Sequence, residues 1–485
     1  MNSVRHTYPK RWQILFVILA AECMDLLDGT VVNVAAPSIH RDLDTSSTGL
    51  QWIVGGYPLA LAAGLLIGGR LGDLFGRRRM FLIGVVGFTA ASTLCGLAPT
   101  TAVLIAARLV QGLAGAMMIP QGLGVIREVF PAEELPKAFG LFGPVMGSAA
   151  LLGPIIGGGL VSLNLLGDAW RPVFLVNVPL GLLATFGAAR LLPRIAVRHA
   201  DRLDVVGAVL AAVASLAIVY PLIEGRALGW PAWTYASIAG GVVLFGTFAG
   251  HLLRLRRLGR DPLVEPSIFA HRGYSAGALV LMLYFGAMIG VVLALTLFLQ
   301  LGEHFSAVHA GLTLAPFALG TAISAPAGAV LADRVGGRVL IQLGALVSLL
   351  SNVGLALILT STTHVSTWGL TGPLLAYGVG MGLFLVPAFD TIIAAVGDAE
   401  TGSASGTLNA IQQLGGAIGV AVLGTVFFSV LSHHGFAVAL RETIWWQVAG
   451  LGLVLVVSPL LPARARVAAA EMPSEVVESR VSAAA

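Results

Sequence analysis

Apolar residues recur from Trp12 to Pro462 in runs near twenty residues long, separated by short stretches where Arg, Asp, Gly and Pro gather. Runs of that length cross a bilayer as helices. Boundaries read from charges, Pro and Gly predict fourteen of them, at about 13–36, 50–69, 80–98, 102–124, 138–161, 172–192, 204–222, 232–253, 274–299, 309–332, 339–360, 367–388, 403–429 and 443–462. The expected class is therefore an all-α polytopic membrane protein with a two-bundle arrangement.

Composition agrees. The 485 residues are 57% hydrophobic and only 11% charged, where a soluble chain carries about a quarter charged residues. The mean hydropathy is +0.90. The formal charge of +4 matters less than its distribution, and it argues for no nucleic-acid partner. With an even span count both termini share one side. If that side is cytoplasmic, 23 of the 28 Lys and Arg residues fall there, in segments such as "RLGDLFGRRR" and "RLLPRIAVRHADR". Arg41, Arg171, Arg226 and Arg441 fall on the other side, and Arg108 lies within a span. The positive-inside rule thus supports the count and a plasma-membrane orientation with cytoplasmic N- and C-termini. The first run is too long, and too interrupted by acids, for a cleavable signal, so it is taken as a retained span. The two cysteines, Cys23 and Cys95, lie in apolar runs and supply no disulfide or metal framework.

The chain also repeats. Span 2 ends in "GGRLGDLFGRRR" and span 10 in "AGAVLADRVGGR", each a small-residue helix running into Asp, Gly and Arg. An offset of eight spans fits two six-helix bundles separated by two inserted helices. The expected domains are an N-terminal bundle over 1–192, the inserted pair with its basic cytoplasmic linker over 193–273, a C-terminal bundle over 274–462, and a disordered cytoplasmic tail over 463–485. Carriers are commonly built from such repeated halves, with the substrate site between them.

Five segments in order resemble the fourteen-span drug:proton antiporters of the major facilitator superfamily. Span 1 offers "LDGTVVNVAAP", with Asp28, Thr30, Asn33 and Pro37. The 2–3 loop offers Gly69, Leu71, Asp73, Gly76, Arg77 and Arg78, similar to the superfamily's motif A. "RLVQGLAGA" in span 4 places Arg108, Gln111, Gly112 and Gly115 in motif B positions. "GPIIGG" in span 5 places Gly153, Pro154, Gly157 and Gly158 in the motif associated with antiporters. "WRPVFLVNVPLG" opens span 6 as in the fourteen-span group. The resemblance is close over spans 1 to 6 and looser over spans 9 to 14. Two departures stand out: Tyr57 is followed by Pro58, which predicts a kink, and Glu22 and Asp25 lie outside the family pattern.

Glu22, Asp25 and Asp28 follow one another at i, i+3 and i+6, an arc of about 120° spread over roughly 9 Å of helix. Asn33 returns to the same arc. Lipid would not tolerate that stripe, whereas a water-filled cavity between bundles would. Carboxylates confined together away from bulk water are groups that exchange protons near neutral pH, as a proton-coupled carrier requires. Arg108, the one basic residue within a span, would cost roughly 2.5–3.5 kcal/mol unpaired on insertion scales. It should face inward and meet an acid, either as a structural ion pair or, as motif B and the span 1 acids favour, as part of proton coupling.

Asp73 among arginines reads either as a topological anchor or, as the resemblance implies, as a cytoplasmic latch. Gly69, Gly76, Arg77 and Arg78 belong to that latch, with Asp333 and Arg338 as its echo in the second bundle. The breaker and close-packing glycines of span 5 point to packing and to gating between the halves. Asn33, Tyr57, Gln111 and Asn409 are the candidate substrate-cavity residues. Glu224, Asp390 and Glu400 fall at span ends and read as solvated charges, although Asp390 lies close enough to "FLVPAF" to be buried. The histidines, such as His304 and His309, show no metal spacing, and no cofactor or metal is expected beyond a proton gradient. The expected activity is proton-coupled export of amphipathic small molecules, such as drugs, antibiotics, dyes or a secreted metabolite, by alternating access, with a monomer sufficing. A proton-coupled importer is the alternative on the same fold. An enzyme is disfavoured, because the spans hold no nucleophile–base set and no paired His ligands.

Overall fold

The computed structural model describes residues 8–131, 133–164, 169–193, 203–361, 365–397 and 400–462. The tail expected from 463 onward lies outside them. The long helices are α1 (Arg11–Asp42), α2 (Ser47–Phe75), α3 (Arg77–Gly96), α4 (Thr101–Val129) and α5 (Phe142–Leu163). Next comes α6 (Arg171–Leu191), broken at Val176. They continue as α7 (Val205–Glu224), α8 (Ala232–Arg257), α9 (Arg272–Leu297), α10 (Ala307–Val335), α11 (Gly337–Ser361), α12 (Thr367–Ile393), α13 (Thr401–Leu431) and α14 (Phe436–Val457). Among the described residues, 12 helices are long and apolar enough to cross a membrane. Of the two others, α1 carries the acids, and α5 shows a shorter apolar stretch, Leu152–Leu163.

Several helices start where a side chain takes up an orphan amide. Ser46, Thr100, Asp204, Ser306 and Ser366 accept from the backbone N–H three residues on. The turns α2–α3 and α10–α11 share one backbone solution. Gly76 (φ 91°) and Gly336 (φ 92°) close them in the left-handed region that glycine alone enters freely. The sequence echo between the two segments is therefore also a conformational one. At the same end, Arg11 donates to both carboxylate oxygens of Glu134, at 2.7 and 2.9 Å. That hydrogen-bonded guanidinium holds the Glu134 carboxyl below its ordinary range. Arg77, Arg78, Arg79 and Arg338 gather at this end, the basic face of the molecule.

Helices α1–α6 pack among themselves, as do α9–α14, while α7 and α8 form a hairpin with α7 against α2 and α13. The two groups meet along α5–α10 and α2–α13. Their cores differ at the two ends of the molecule. Away from the basic face one apolar cluster runs through both groups, from Val31 and Ile53 to Val291, Leu314 and Phe427. Toward the basic face it divides into two. One holds Leu15, Phe81, Val125 and Ala188; the other holds Tyr274, Ile341, Phe384 and Leu451. Between them opens a cavity of about 1140 Å³, walled by α2 and α4 on one side and the first turns of α13 on the other. The molecule is sealed at one end and open at the basic face. Its outward surfaces stay apolar, with Leu183, Val243 and Val456 each more than 60% exposed, as lipid-facing helices require.

The seal depends on main-chain approach. A Cβ at Gly158 would lie 2.5 Å from the Ala307 carbonyl oxygen, and one at Gly311 would lie 2.3 Å from that of Pro154, so α5 and α10 touch backbone to backbone. Gln51 of α2 donates to the Val420 and Ala421 carbonyls of α13, both at 3.2 Å. Gln300, in the turn Phe298–Gly302 that follows α9, donates to the Val34 carbonyl of α1 at 2.9 Å.

Candidate functional site

At the centre of α1–α6 the structure pairs the two opposite charges that the apolar pattern isolates. Arg108 of α4 donates to Asp28 Oδ2, with both side chains buried. Gln111 Nε2 and Asn177 Nδ2 donate to the other carboxylate oxygen at 2.8 and 2.9 Å. The four residues come from three helices, because Asn177 begins the second segment of α6. Around them Arg108 also donates to the Gln111 amide oxygen (2.8 Å) and to the Ile53 carbonyl (3.1 Å). Asn177 reaches Ser92 Oγ at 2.9 Å, and Ser92 donates to the Phe174 carbonyl. The guanidinium lies 4.3 Å from the centroid of the Tyr57 ring, a cation–π contact in a desolvated site. Among the described residues, each hydrogen-bond partner of Asp28 is a donor.

The other two acids lie nearer the basic face and are half-buried. Tyr57 donates its hydroxyl to Asp25 Oδ1, so one tyrosine touches Asp25 with its oxygen and Arg108 with its ring. Gly115 and Gly122 of α4 lie alongside the acids. A Cβ at Gly115 would lie 3.5 Å from Asp25 Oδ1, and one at Gly122 would lie 3.4 Å from Glu22 Oε1. That Glu22 oxygen is buried and has no hydrogen-bond partner. It sits level with Ile119, Pro120 and Leu123, which line the open cavity. The acids therefore form a ladder along α1, from a sequestered Asp28 down to Glu22, facing α2 and α4 within the first helix group rather than lining the cavity.

The remaining expected residues divide by location. Asn409 lines the cavity, whereas Asn33, Tyr57 and Gln111 are buried at 5% exposure or less. Asn33 donates to the Gly29 carbonyl of its own helix. At the basic face Arg77 pairs with Asp73 at 3.0 Å and with Glu128 at 3.3 Å. Arg78 donates to the Ala189 carbonyl, tying the α2–α3 turn to α6. Gly69 and Asp73 look onto the cavity. In the second group Arg338 donates to the Pro459 and Leu461 carbonyls; the side chain of Asp333 lies outside the described ones. Gly153 abuts Thr30 and Gly157 abuts Val31, so α5 lies tightly along α1. Pro58 does not end its helix, since α2 continues through it.

Two expected solvated charges are engaged instead. Glu224 accepts from the Trp52 indole at 2.9 Å, and Glu400 from Ser267. Asn177 stands in a quoted motif but had no assigned role. Its available signal was an amide at the start of an apolar run, which costs free energy unless it finds a partner. Replacing Asn177 by Ala is expected to destabilise the chain by about 1–2 kcal/mol, because it removes a donor to a buried carboxylate. The midpoint of thermal unfolding in detergent checks this; an unchanged midpoint would show that the amide adds nothing to the hold on Asp28.

A family model described as the Major Facilitator Superfamily matches residues 18–420. A "Probable actinorhodin transporter" from Streptomyces coelicolor is 46% identical over 438 residues, covering 89% of this chain and 75% of the relative. The puromycin resistance protein of Streptomyces alboniger is 40% identical, covering 88% and 84%. A cephamycin export protein from Amycolatopsis lactamdurans is 34% identical, covering 93% of both chains. Among solved structures, an auto-inhibited peptide transporter of the POT family superposes with a TM-score of 0.70 at 14% identity, covering 94% of this chain and 98% of that one. A D-xylose–proton symporter superposes at 0.66 and 16% identity, covering 93% and 98%. These two show a shared fold.

Proposed function

This chain belongs to the Major Facilitator Superfamily, and on that premise we propose that it exports amphipathic small molecules in exchange for protons. It is an integral membrane transporter. Adding α1 and α5 to the twelve apolar helices gives fourteen spans, with the basic face in the cytoplasm under the positive-inside rule. The cavity then opens to the cytoplasm, where an exporter collects its cargo. Its volume of about 1140 Å³ exceeds the usual drug-sized pocket of roughly 300–1,000 Å³. Relatives named for actinorhodin, puromycin and cephamycin support antibiotics or other secreted metabolites as the class of cargo.

The observation that carries the coupling is the sequestered Asp28–Arg108 pair above two half-buried acids. A proton bound at Asp28 displaces the guanidinium, because both claim the same oxygen. Arg108, once released, has Tyr57 and Asp25 within its surroundings, so proton arrival is felt along the ladder. Each proton driven by a potential near 100 mV supplies about 2.3 kcal/mol, or roughly a fifty-fold gradient. Asp73 with Arg77, and Arg338 in the second group, serve as the latch that engages when the cytoplasmic mouth closes. A monomer suffices, since every residue invoked lies in one chain.

Inverted vesicles carrying a pH-sensitive dye test the reading. Adding a transported antibiotic is expected to collapse an imposed proton gradient in proportion to uptake. A panel of cationic, neutral and anionic antibiotics that leaves the gradient untouched while accumulating would refute the coupling.

A further inference from the structure

We propose that residues 258–271, which join α8 to α9, form a strap that keeps the basic-face mouth open and slips off α2 when the mouth closes. This rests on the reading of the chain as an alternating-access carrier. The strap stands between the walls, with Leu263 and Glu265 on the cavity surface, and each wall holds one part of it.

On the α2 side, Arg70 donates to the Pro262 carbonyl at 3.1 Å and faces the Asp261 carboxylate at 3.7 Å. On the α13 side, the Glu265 N–H donates to Ser403 Oγ at 3.0 Å, Ser267 donates to Glu400, and His271 lies 3.5 Å from the same carboxylate. Two residues, Leu263 and Val264, separate Pro262 from Glu265, so three Cα–Cα steps span at most about 10 Å of extended chain. While both anchorages hold, the strap is gripped from both walls and its own chain fills the gap between the end of α2 and the start of α13. Closing the mouth brings those two helix ends together and so requires one anchorage to release.

The two anchorages are unequal. Leu263, Val264 and Ile268 are at most 6% exposed and belong to the apolar core of the second helix group. Asp204 fixes the strap to the inserted hairpin as well. It accepts from Leu263 N–H (3.3 Å) and lies 2.8 Å from His251 Nε2, while capping α7. The Arg70–Asp261 pair, by contrast, is 37% and 58% exposed, and exposed ion pairs hold weakly. Release therefore falls at Arg70, and the strap travels with α13.

The other end of the hairpin bears on the same seam. Leu222 of α7 accepts from Thr425 of α13 at 2.8 Å, and Glu224 accepts from Trp52 of α2. The insertion thus grips the α2–α13 seam at both faces, while nothing comparable lies on the α5–α10 seam among the described residues.

The test locks each anchorage in turn. In lipid nanodiscs, cross-linking Arg70→Cys to Asp261→Cys with a short reducible reagent is expected to slow hydrogen exchange several-fold around Gln51 and Val420, at the sealed end, because the mouth no longer closes. Reduction of the same sample restores exchange, which separates locking from misfolding. Cross-linking Glu265→Cys to Ser403→Cys is expected to leave exchange unchanged. Unaltered exchange after the first cross-link, or equal slowing by both, would overturn the proposal. Exchange requires no substrate, so failure of the exporter reading registers separately, in the vesicle experiment.

Discussion

Replacing Asp28 by asparagine is expected to abolish uphill export while the chain still inserts in the membrane. Asp28 receives donors on both oxygens, from Arg108 on one and from Gln111 and Asn177 on the other. An asparagine cannot carry the exchanged proton. It also turns an N–H₂ group toward partners that are themselves donors, and it leaves Arg108 buried without an anion. Losing one partner of a buried pair costs about 3–5 kcal/mol, so thermal stability in detergent should fall together with activity. The two effects separate in proteoliposomes. Export driven by an imposed proton gradient should drop to background, while tracer exchange at equal substrate on both sides, which moves no net proton, should persist at a reduced rate. Uphill export at the parental rate would move the proton to Asp25 or Glu22.

How far such a site can be read from the chain depends on which physical signal each residue carries. Charge in an apolar run is a strong signal. One cation and three acids within spans must seek one another, and the pairing of Arg108 with Asp28 follows almost from insertion cost alone. The choice of acid is harder, because Glu22, Asp25 and Asp28 share an arc of about 120°, wide enough to face more than one neighbour. The structure divides them accordingly, with Asp28 sealed among three helices, Asp25 taken up by Tyr57, and Glu22 alongside Gly122 of α4. Amides carry a weaker signal, which calls for a partner without saying which helix supplies it. Asn177, Gln51 and Gln300 all bridge helices distant in sequence, and no periodicity within one helix reports that. Tyr57 and Gln111 read as pocket residues because polar groups in spans suggest a cavity, yet their partners are protein groups. Helix lengths diverge for a related reason. Hydropathy marks the lipid-facing part, about 13–36 in the first span, whereas hydrogen bonding carries α1 from Arg11 to Asp42. The strap was legible only as a basic linker, since its role depends on which helix ends it meets.

The second large effect is steric, and it separates two adjacent glycines. Gly158→Val is expected to prevent the sealed end from closing and to reduce transport to near background, while Gly159→Ala is expected to transport normally. A Cβ at Gly158 would sit 2.5 Å from the Ala307 carbonyl oxygen and 2.9 Å from Val308 Cα, against backbone that cannot step aside. At Gly159 the same atom meets nothing within 4 Å. Relief at position 158 requires α5 and α10 to part, which also removes the fit of Gly311 against Pro154. The apolar cluster that joins both helix groups then loses its contacts along that seam, and interiors packed at crystal-like density do not absorb such a shift locally. The carrier should rest with its sealed end open. A membrane-impermeant thiol reagent applied from outside should therefore label a cysteine placed at Leu314 in the Gly158→Val background and leave it unlabelled in the Gly159→Ala background. Labelling that is equal in both, or transport retained by Gly158→Val, would mean that the α5–α10 contact is packing rather than a gate.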